Sequence, residues 1–201
     1  MQNYKTVVGI DEVGRGSWAG PVVAAAVILS GPIEGLKDSK LLSDKSRNLL
    51  AEIIKNDAVA YGVGWADIDY LNKFGLTKSI SLAMNDAISQ INTPYEKIII
   101  DGNYNFLHNN PLASVLISAD KLVNSVSAAS ILAKVARDNW MKSIAKEFPQ
   151  YGFDKHVGYG TRLHIEKLRE HGPCVLHRTF YKPIMSFQND TYLLKKATTS
   201  L

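Results

Sequence analysis

The stretch Val7-Val8-Gly9-Ile10-Asp11-Glu12-Val13-Gly14-Arg15-Gly16 constrains this chain more than any other. An apolar strand, Val7 to Ile10, runs straight into two adjacent carboxylates and then into a glycine-bracketed arginine. Strand ends hand over to accessible loops, which is where reactive groups are held. Two acids at the lip of a hydrophobic strand repel each other and add nothing to packing. A divalent metal with hard oxygen ligands would compensate them; a solvated Asp-Glu turn is the plainer reading of the pair alone. Successive strand side chains face opposite ways, so a metal shared by Asp11 and Glu12 requires a bend or bulge between them. Gly9 and Gly14 make such a bend feasible.

Gly14-Arg15-Gly16-Ser17-Trp18-Ala19 also fits the pattern G-x-G-x-x-A of dinucleotide-binding turns. That pattern needs the glycines to open a helix whose N-terminus meets a pyrophosphate. Gly20-Pro21 follows at once, and Val22–Leu29 reads as a second strand, so no helix has room to start. The nucleotide-cofactor reading is rejected.

The 201 residues allow one sizeable domain or a domain with a small appendage, and an apolar share of 46% is enough to pack it. No apolar run is long enough to span a bilayer, and Met1-Gln2-Asn3-Tyr4-Lys5 lacks the core of a signal peptide. The single cysteine, Cys174, excludes an internal disulfide framework and fits a reducing cytoplasm. A net charge of +4 is compatible with a polyanionic partner without demonstrating one.

Along the chain, Val22–Leu29 is the expected hairpin partner of the first strand. Ser43 caps a helix running to about Lys55, with Leu49, Leu50, Ile53 and Ile54 as its buried face. Ala58–Trp65 is a third strand, and the segment after Gly75 to Ile91 an amphipathic helix on Leu76, Ile80, Met84, Ala87 and Ile91. Lys97–Ile100 is a strand buried on both faces, ending in Asp101. Ala113–Ser118 is a fifth, ending in Ala119-Asp120. A long helix rich in small residues covers about Asn124–Phe148, and a last one Thr161–His171, stopped by Gly172-Pro173. The tail after Ser186 is polar and threonine-rich.

Three of the five expected strands thus finish in carboxylates: Asp11-Glu12, Asp101 and Asp120. Neighbouring strand ends in an α/β sheet converge on one crevice. Four acids there repel strongly unless metal ions sit among them, and an all-oxygen set prefers Mg²⁺ or Mn²⁺. Two such ions clamp a phosphodiester, activating water and stabilising the leaving oxygen. Phosphoryl-transfer chemistry is therefore the favoured class.

In order along residues 6–183, the segments GIDEVGRGSWAGPVVAAAV, DSKLLS, IIIDGN, SAASILAKVARD, YGFDKHVGYGT and HRTFY resemble the type 2 ribonuclease H family, the bacterial ribonuclease HII. The resemblance implies an α/β, ribonuclease H-like fold, a five-stranded mixed sheet flanked by helices with a helical C-terminal extension. It divides the chain into a catalytic core, 1–148, and an extension with tail, 149–201. It implies a cytoplasmic, monomeric endonuclease with Mn²⁺ or Mg²⁺ that hydrolyses the RNA strand of RNA–DNA hybrids, leaving 3′-hydroxyl and 5′-phosphate ends. Its partners would be such hybrids and duplex DNA containing ribonucleotides, with a role in removing those ribonucleotides and RNA primers.

Carried over by position, the metal-binding acids are Asp11, Glu12, Asp101 and Asp120. Gly14, Arg15 and Gly16 read the 2′-hydroxyl and phosphate beside the scissile bond; glycines let backbone approach sugar, and the 2′-hydroxyl separates RNA from DNA. Tyr159 matches the family's junction-sensing tyrosine; without the resemblance it reads as a core cap. Arg15, Lys155, Arg162, Arg178 and Lys182 are candidate phosphate contacts, with Lys121 less so. Asp138 reads as a paired or solvent-facing helical acid, or as support for the metal site. The chain departs from the family at Asp120-Lys121-Leu122, where Asp-Ala-Lys is common, and at His156-Val157-Gly158, where His-Lys-Gly is common.

His156, His164, His171 and His177 crowd the last third with Cys174, but their spacing gives no two close zinc-ligand pairs. Surface or helix-end positions, some near substrate phosphate, are expected. Two alternatives remain: another nuclease of this fold, such as a junction resolvase, which would lack Gly14-Arg15-Gly16 beside the acids, and a hybrid-binding module without chemistry, which would be missing an acid.

Overall fold

The computed structural model describes residues 6–36 and 42–187. The expected loop around Asp38-Ser39-Lys40 and most of the polar tail lie outside the described residues. Five strands, β1 (Val7–Val13), β2 (Val22–Leu29), β3 (Ala58–Ala66), β4 (Lys97–Asp101) and β5 (Ala113–Leu116), form one sheet in the order β3-β2-β1-β4-β5. β1 pairs antiparallel with β2 and parallel with β4, and β4 parallel with β5. This is the mixed sheet of a ribonuclease H-like fold.

β2 is the hydrophobic centre because both its faces are covered. Val22, Ala24, Ala26 and Ile28 pack under α2 (Ile68–Ser89), with Val8, Ile10, Ile98 and Ile100 in the same layer. Val23, Ala25 and Val27 face α1 (Asp44–Asp57) and α4 (Asn124–Ile144). The alternation of strand side chains divides these residues between two cores. Helices approach closely where the strands lack side chains. A Cβ on Gly9 would stand 2.2 Å from the Val126 backbone of α4, and one on Gly64 2.0 Å from the Ala83 carbonyl of α2.

α1 begins as expected, with the Ser43 hydroxyl accepting from the Ser46 N–H. Its buried face is Leu50, Ala51 and Ile54; Leu49 is 65% exposed and Ile53 39%. The stripe is narrower than the sequence suggests because α1 leans mostly on one helix, α4. α2 starts earlier than expected, at Ile68 with Asp67 as its cap, and Gly75 at φ 78° breaks its helical backbone. The last strand is shorter than expected: after Leu116 the chain turns into α3 (Ala119–Leu122), so Asp120 stands on a helical turn, not at a strand end.

Beyond Pro149 come α5 (Phe153–His156) and α6 (Arg162–His171), with helical residues again at 182–187. Tyr151, Phe153 and Leu176 share a third apolar cluster with Ala19, Ile68, Met141 and Ala145. Here the histidine expectation is corrected. His156, His164 and His177 are buried, not surface groups, because each has its polar atoms matched inside. The Nε2–H of His156 donates to the Tyr151 carbonyl (2.8 Å), and its Nδ1 accepts from the Gly158 N–H (3.2 Å). His164 stacks on His156 with centroids 4.3 Å apart. The Nδ1–H of His164 donates to the Tyr159 carbonyl (3.0 Å), leaving its Nε2 to accept from the Nε2–H of His177 (3.0 Å). The Nδ1 of His177 in turn accepts from the Cys174 N–H (2.9 Å). One neutral tautomer per ring satisfies the whole chain of bonds. Among the described residues, no three His, Cys, Asp or Glu side chains are grouped to hold a metal, here or elsewhere.

Two outcomes are expected. Gly64→Ala should lower the unfolding free energy by about 2 kcal/mol in urea titrations, since the new methyl meets helix backbone and not a movable side chain. Burial, first of all, holds His177 at about 4 and His164 at about 3, below the ordinary 6.5, and lowers His156 too. Unfolding therefore takes up protons below pH 6.5. The stabilising contribution of these rings is whole above that pH and is lost progressively as pH falls below it, through 4 for His177 and through 3 for His164. Side-chain ¹⁵N NMR at pH 5 should show neutral imidazoles for His164 and His177, where a free histidine is mostly charged; charged rings at these two positions would contradict the tautomer assignment.

Candidate active site

At the sheet edge formed by the ends of β1 and β4, the apolar layers give way to acids. Asp11 and Glu12 lie within β1, and their pairing with Ala25 and Ala24 continues unbroken to Val13. The anticipated bulge between them is absent, so the two carboxylates leave opposite faces of the strand. The chain turns only after Val13, at Gly14 with φ 101°. Pairing between β1 and β4 stops at Ile10 and Ile100, so Asp101 lies next in register, beside Asp11 on the α4 face.

Asp11 is 9% exposed, and its Oδ1 accepts from the Glu12 N–H at 2.8 Å. Burial pushes its carboxyl up to about 7, opposed by a hydrogen bond with Ser130 of α4 and assisted by the charges of Glu12 and Asp101. Burial also raises Glu12, and the Arg15 guanidinium counters it. The Arg15 Nη1 donates to Glu12 Oε1 at 3.1 Å. The other oxygen, Glu12 Oε2, is buried without a hydrogen-bond partner. Asp101 Oδ1 accepts from the N–H of Ala119 (2.7 Å) and, more weakly, of Asp120 (3.5 Å), which seats α3 against the end of β4.

These acids fit divalent metal by their chemistry. An unpartnered carboxylate oxygen, a carboxyl near neutral pKa and mutual repulsion are what hard cations relieve. The side chains do not stand in finished coordination, and the absence of a three-residue metal grouping among the described residues agrees with that.

The loop after β1 is held by two buried arginines. Arg137 of α4 donates to the carbonyls of Pro21 (Nε, 2.9 Å), Ala19 (Nη2, 3.0 Å) and Val157 (Nη1, 2.9 Å). Arg178 donates to the carbonyls of Gly20 (Nη2, 2.9 Å), Pro21 (Nη2, 3.1 Å) and Arg15 (Nη1, 3.2 Å). The Tyr181 hydroxyl also donates to the Arg15 carbonyl. Arg178 is 0% exposed, so it leaves the set of candidate phosphate contacts: its donors are spent on backbone. Burial lowers both arginines, Arg137 to about 10, which leaves them charged at neutral pH.

Gly14 and Gly16 differ in what they answer to. A Cβ on Gly14 would strike Arg137 Nε at 2.5 Å, so the fold itself requires glycine there. Around Gly16 a Cβ would meet nothing within 4 Å. Nothing inside the protein explains that glycine. Tyr159 is brought to this loop by a bridge to Ser17, and the Gly158 carbonyl accepts from the Trp18 N–H at 2.8 Å. Its ring lies 5.5 Å from the Arg137 guanidinium and 5.7 Å from Lys134 Nζ.

Asp138 is a paired helical acid: Lys134 Nζ stands 2.9 Å from its Oδ2. Arg162 pairs with Glu166 (2.8 Å) and is otherwise exposed, while Lys155, Lys182 and Lys121 are exposed. Sequence reasoning missed Ser130 and Arg137. The signal for Arg137 was available, because it falls between Ala133 and Met141 on the buried stripe of α4, where an apolar residue belongs. No described helix is long and apolar enough to cross a membrane.

The model of the ribonuclease HII family matches residues 8–189. A ribonuclease HII from Halorhodospira halophila (strain DSM 244 / SL1) is 43% identical over 180 residues, 89% of this chain and 92% of that protein. Among solved structures, ribonuclease H2 from Pyrococcus horikoshii OT3 superposes with a TM-score of 0.76 at 21% identity, covering 92% of this chain and 98% of that one. RNase HII from Archaeoglobus fulgidus, solved in a PCNA complex, gives 0.73 at 25% identity over 88% and 95%. Bst-RNase HIII in complex with Mn²⁺ gives 0.69 at 22% identity over 92% and 70%. With its family model matched nearly end to end, this chain belongs to the ribonuclease HII family and is a type 2 ribonuclease H, an endonuclease of RNA–DNA hybrids.

Proposed function

We propose that the enzyme cuts the RNA strand of hybrids, and the 5′ side of single ribonucleotides in duplex DNA, with two divalent ions held by Asp11, Glu12, Asp101 and Asp120. The observation that carries this reading is the buried carboxylate pair Asp11 and Glu12, further opposed by the charge of Asp101, with an unpartnered Glu12 oxygen. When bound, Mn²⁺ or Mg²⁺ supplies activation of the attacking water and stabilisation of the leaving 3′ oxygen. The Mn²⁺ complex of Bst-RNase HIII supports this choice of ions. The products are 3′-hydroxyl and 5′-phosphate ends, and the role is removal of ribonucleotides and RNA primers from DNA in the cytoplasm.

The chain's own residues supply recognition. Open space at Gly16 lets backbone reach a sugar, where the 2′-hydroxyl is the mark of RNA. Arg15, held at its carbonyl by Arg178 and Tyr181, keeps its guanidinium at the acid edge for a phosphate. Tyr159, tied to the same loop, is the group that senses the next sugar as DNA. Residues 1–148 carry the chemistry, and 149–201 hold the substrate through Tyr159 and the exposed Lys155, Arg162 and Lys182. The protein acts as a monomer.

Asp11→Asn removes a buried charge that its neighbours oppose. In metal-free buffer it should raise the melting temperature by about 3 °C, corresponding to about 1 kcal/mol, and it should abolish turnover. Chelator should silence the wild type, and Mn²⁺ or Mg²⁺ restore it; cleavage persisting in chelator would defeat the metal assignment. For junction recognition, cleavage of a duplex with one embedded ribonucleotide is compared with cleavage of a long hybrid. Tyr159→Ala should slow the first at least tenfold more than the second. Equal losses on both substrates would remove Tyr159 from that role.

A further inference from the structure

Next to the acids lies a groove that the reaction does not use. It runs between α2 and the segment 104–112, which leaves β4 at Asp101 and returns along the same face of the sheet. One cavity of 270 Å³ is lined by Tyr70, Lys78, Ser81, Asn85, Tyr104 and Phe106, among others. It shares Ser81, Asn85, Phe106 and His108 with a second cavity of 420 Å³ farther along.

Aromatic rings line and flank the groove: Tyr70, Tyr104 and Phe106 line it, and Phe74 packs on Tyr70 beside it. Tyr70 and Phe74 stand on α2 with centroids 4.5 Å apart; Tyr104 and Phe106 form the opposite wall at 4.7 Å. Phe106 is buried, but Tyr104 is 51% exposed and Phe74 41%, far more than packing asks of such rings. Cations cluster on them. Lys73 and Lys78 both lie over the Phe74 ring, at 5.1 and 5.7 Å, and neither has a carboxylate partner among the described residues. Asp67 and Asp69 are the exposed acids nearby, Asp67 accepting from the Tyr70 N–H, while half-buried Asp86 accepts from the Trp65 N–H. The groove is continuous with the active site, because the Arg15 guanidinium that bonds Glu12 also lies 5.6 Å over the Phe106 ring.

Exposed aromatic faces flanked by lysines suit one ligand class above others: unpaired nucleotides, whose bases stack on rings while phosphates meet the cations. Bases inside a duplex have no free face to offer. We propose that this groove binds a single-stranded segment extending from the duplex held at Asp11, Glu12 and Arg15, so that the enzyme prefers hybrids bordered by an unpaired strand. This rests on the nuclease reading above and adds a binding site to it.

The test is fluorescence anisotropy in chelator, where nothing is cut. A blunt RNA–DNA hybrid is compared with the same hybrid carrying ten unpaired thymidines at each of its four strand ends in turn. One overhang position should tighten binding about tenfold, as a base or two stacking on aromatic rings would give. Tyr104→Ala and Phe74→Ala should each remove most of that gain while leaving blunt-hybrid binding and metal-supported cleavage unchanged. Both rings are exposed enough for truncation to leave the fold intact, which thermal melts verify. Lys73→Gln with Lys78→Gln, which removes two charges and leaves every aromatic ring in place, should reduce the gain and its salt dependence. The proposal is overturned if no overhang binds more tightly than the blunt hybrid. It is equally overturned if the gain survives all three variants, or if the variants weaken blunt and overhung substrates alike. Metal-supported cleavage of the blunt hybrid reports separately on the nuclease reading: an uncut hybrid with an intact overhang gain would sink that reading and leave the groove standing.

Discussion

Two guanidinium groups, Arg137 from the long helix and Arg178 from the C-terminal region, solvate the carbonyls of the loop that follows the first strand. That loop runs through Gly14, Arg15 and Gly16 back to Pro21 without helix or strand of its own, so its backbone acceptors would otherwise be buried and unpaired. A planar fork with five donors meets several carbonyls at once, which lysine does not. Through these bonds α4, the loop and the C-terminal region become one object, and the position of Arg15 against Glu12 follows from it. The two cations also stand near each other, opposed by burial and by their mutual repulsion. They persist because removing either would strand several carbonyls in the interior.

The acid edge carries the opposite strain. Three carboxylates of β1 and β4 meet where the apolar layers end, and burial together with repulsion raises Asp11 and Glu12. A fold optimised for stability alone would place none of them there. The nearby hydrogen bonds are local remedies: Ser130 for Asp11, Arg15 for Glu12, and the start of α3 for Asp101. What they leave unrelieved is the capacity to take up cations.

The C-terminal region shows how a polar sequence builds a core. His156, His164 and His177 would be poor core residues singly, because each ring brings two polar nitrogens. Bonded to one another and to backbone, they pack with Tyr151 and Phe153 as flat, neutral plates. Their bonds end on Gly158 and the Tyr159 carbonyl, so the Tyr159 side chain beside the loop after β1 is positioned from beneath.

Strand and helix order was legible in the sequence because periodicity is local: alternation and the Ile98-Ile99-Ile100 run mark strands, and Ser43 and Thr161 mark helix starts. Asp11, Glu12 and Asp101 were legible for the same reason, being acids that break an apolar run. Other features belong to tertiary structure because they depend on partners distant in the chain. Asp120 looked like a strand end until the chain was seen to leave β5 at Leu116 and turn. Leu49 and Ile53 looked buried until α1 was seen to lean mostly on one helix, α4. Arg178 looked like a phosphate contact, since nothing within a few residues of it tells that its guanidinium reaches the carbonyl of Gly20, 158 residues earlier. The sequence by itself determined which residues are apolar, charged or turn-forming, and thereby the elements and the acids. Only the tertiary structure decided which polar groups face one another, because hydrogen bonds and buried charges are matched across the fold and leave no periodic trace along the chain.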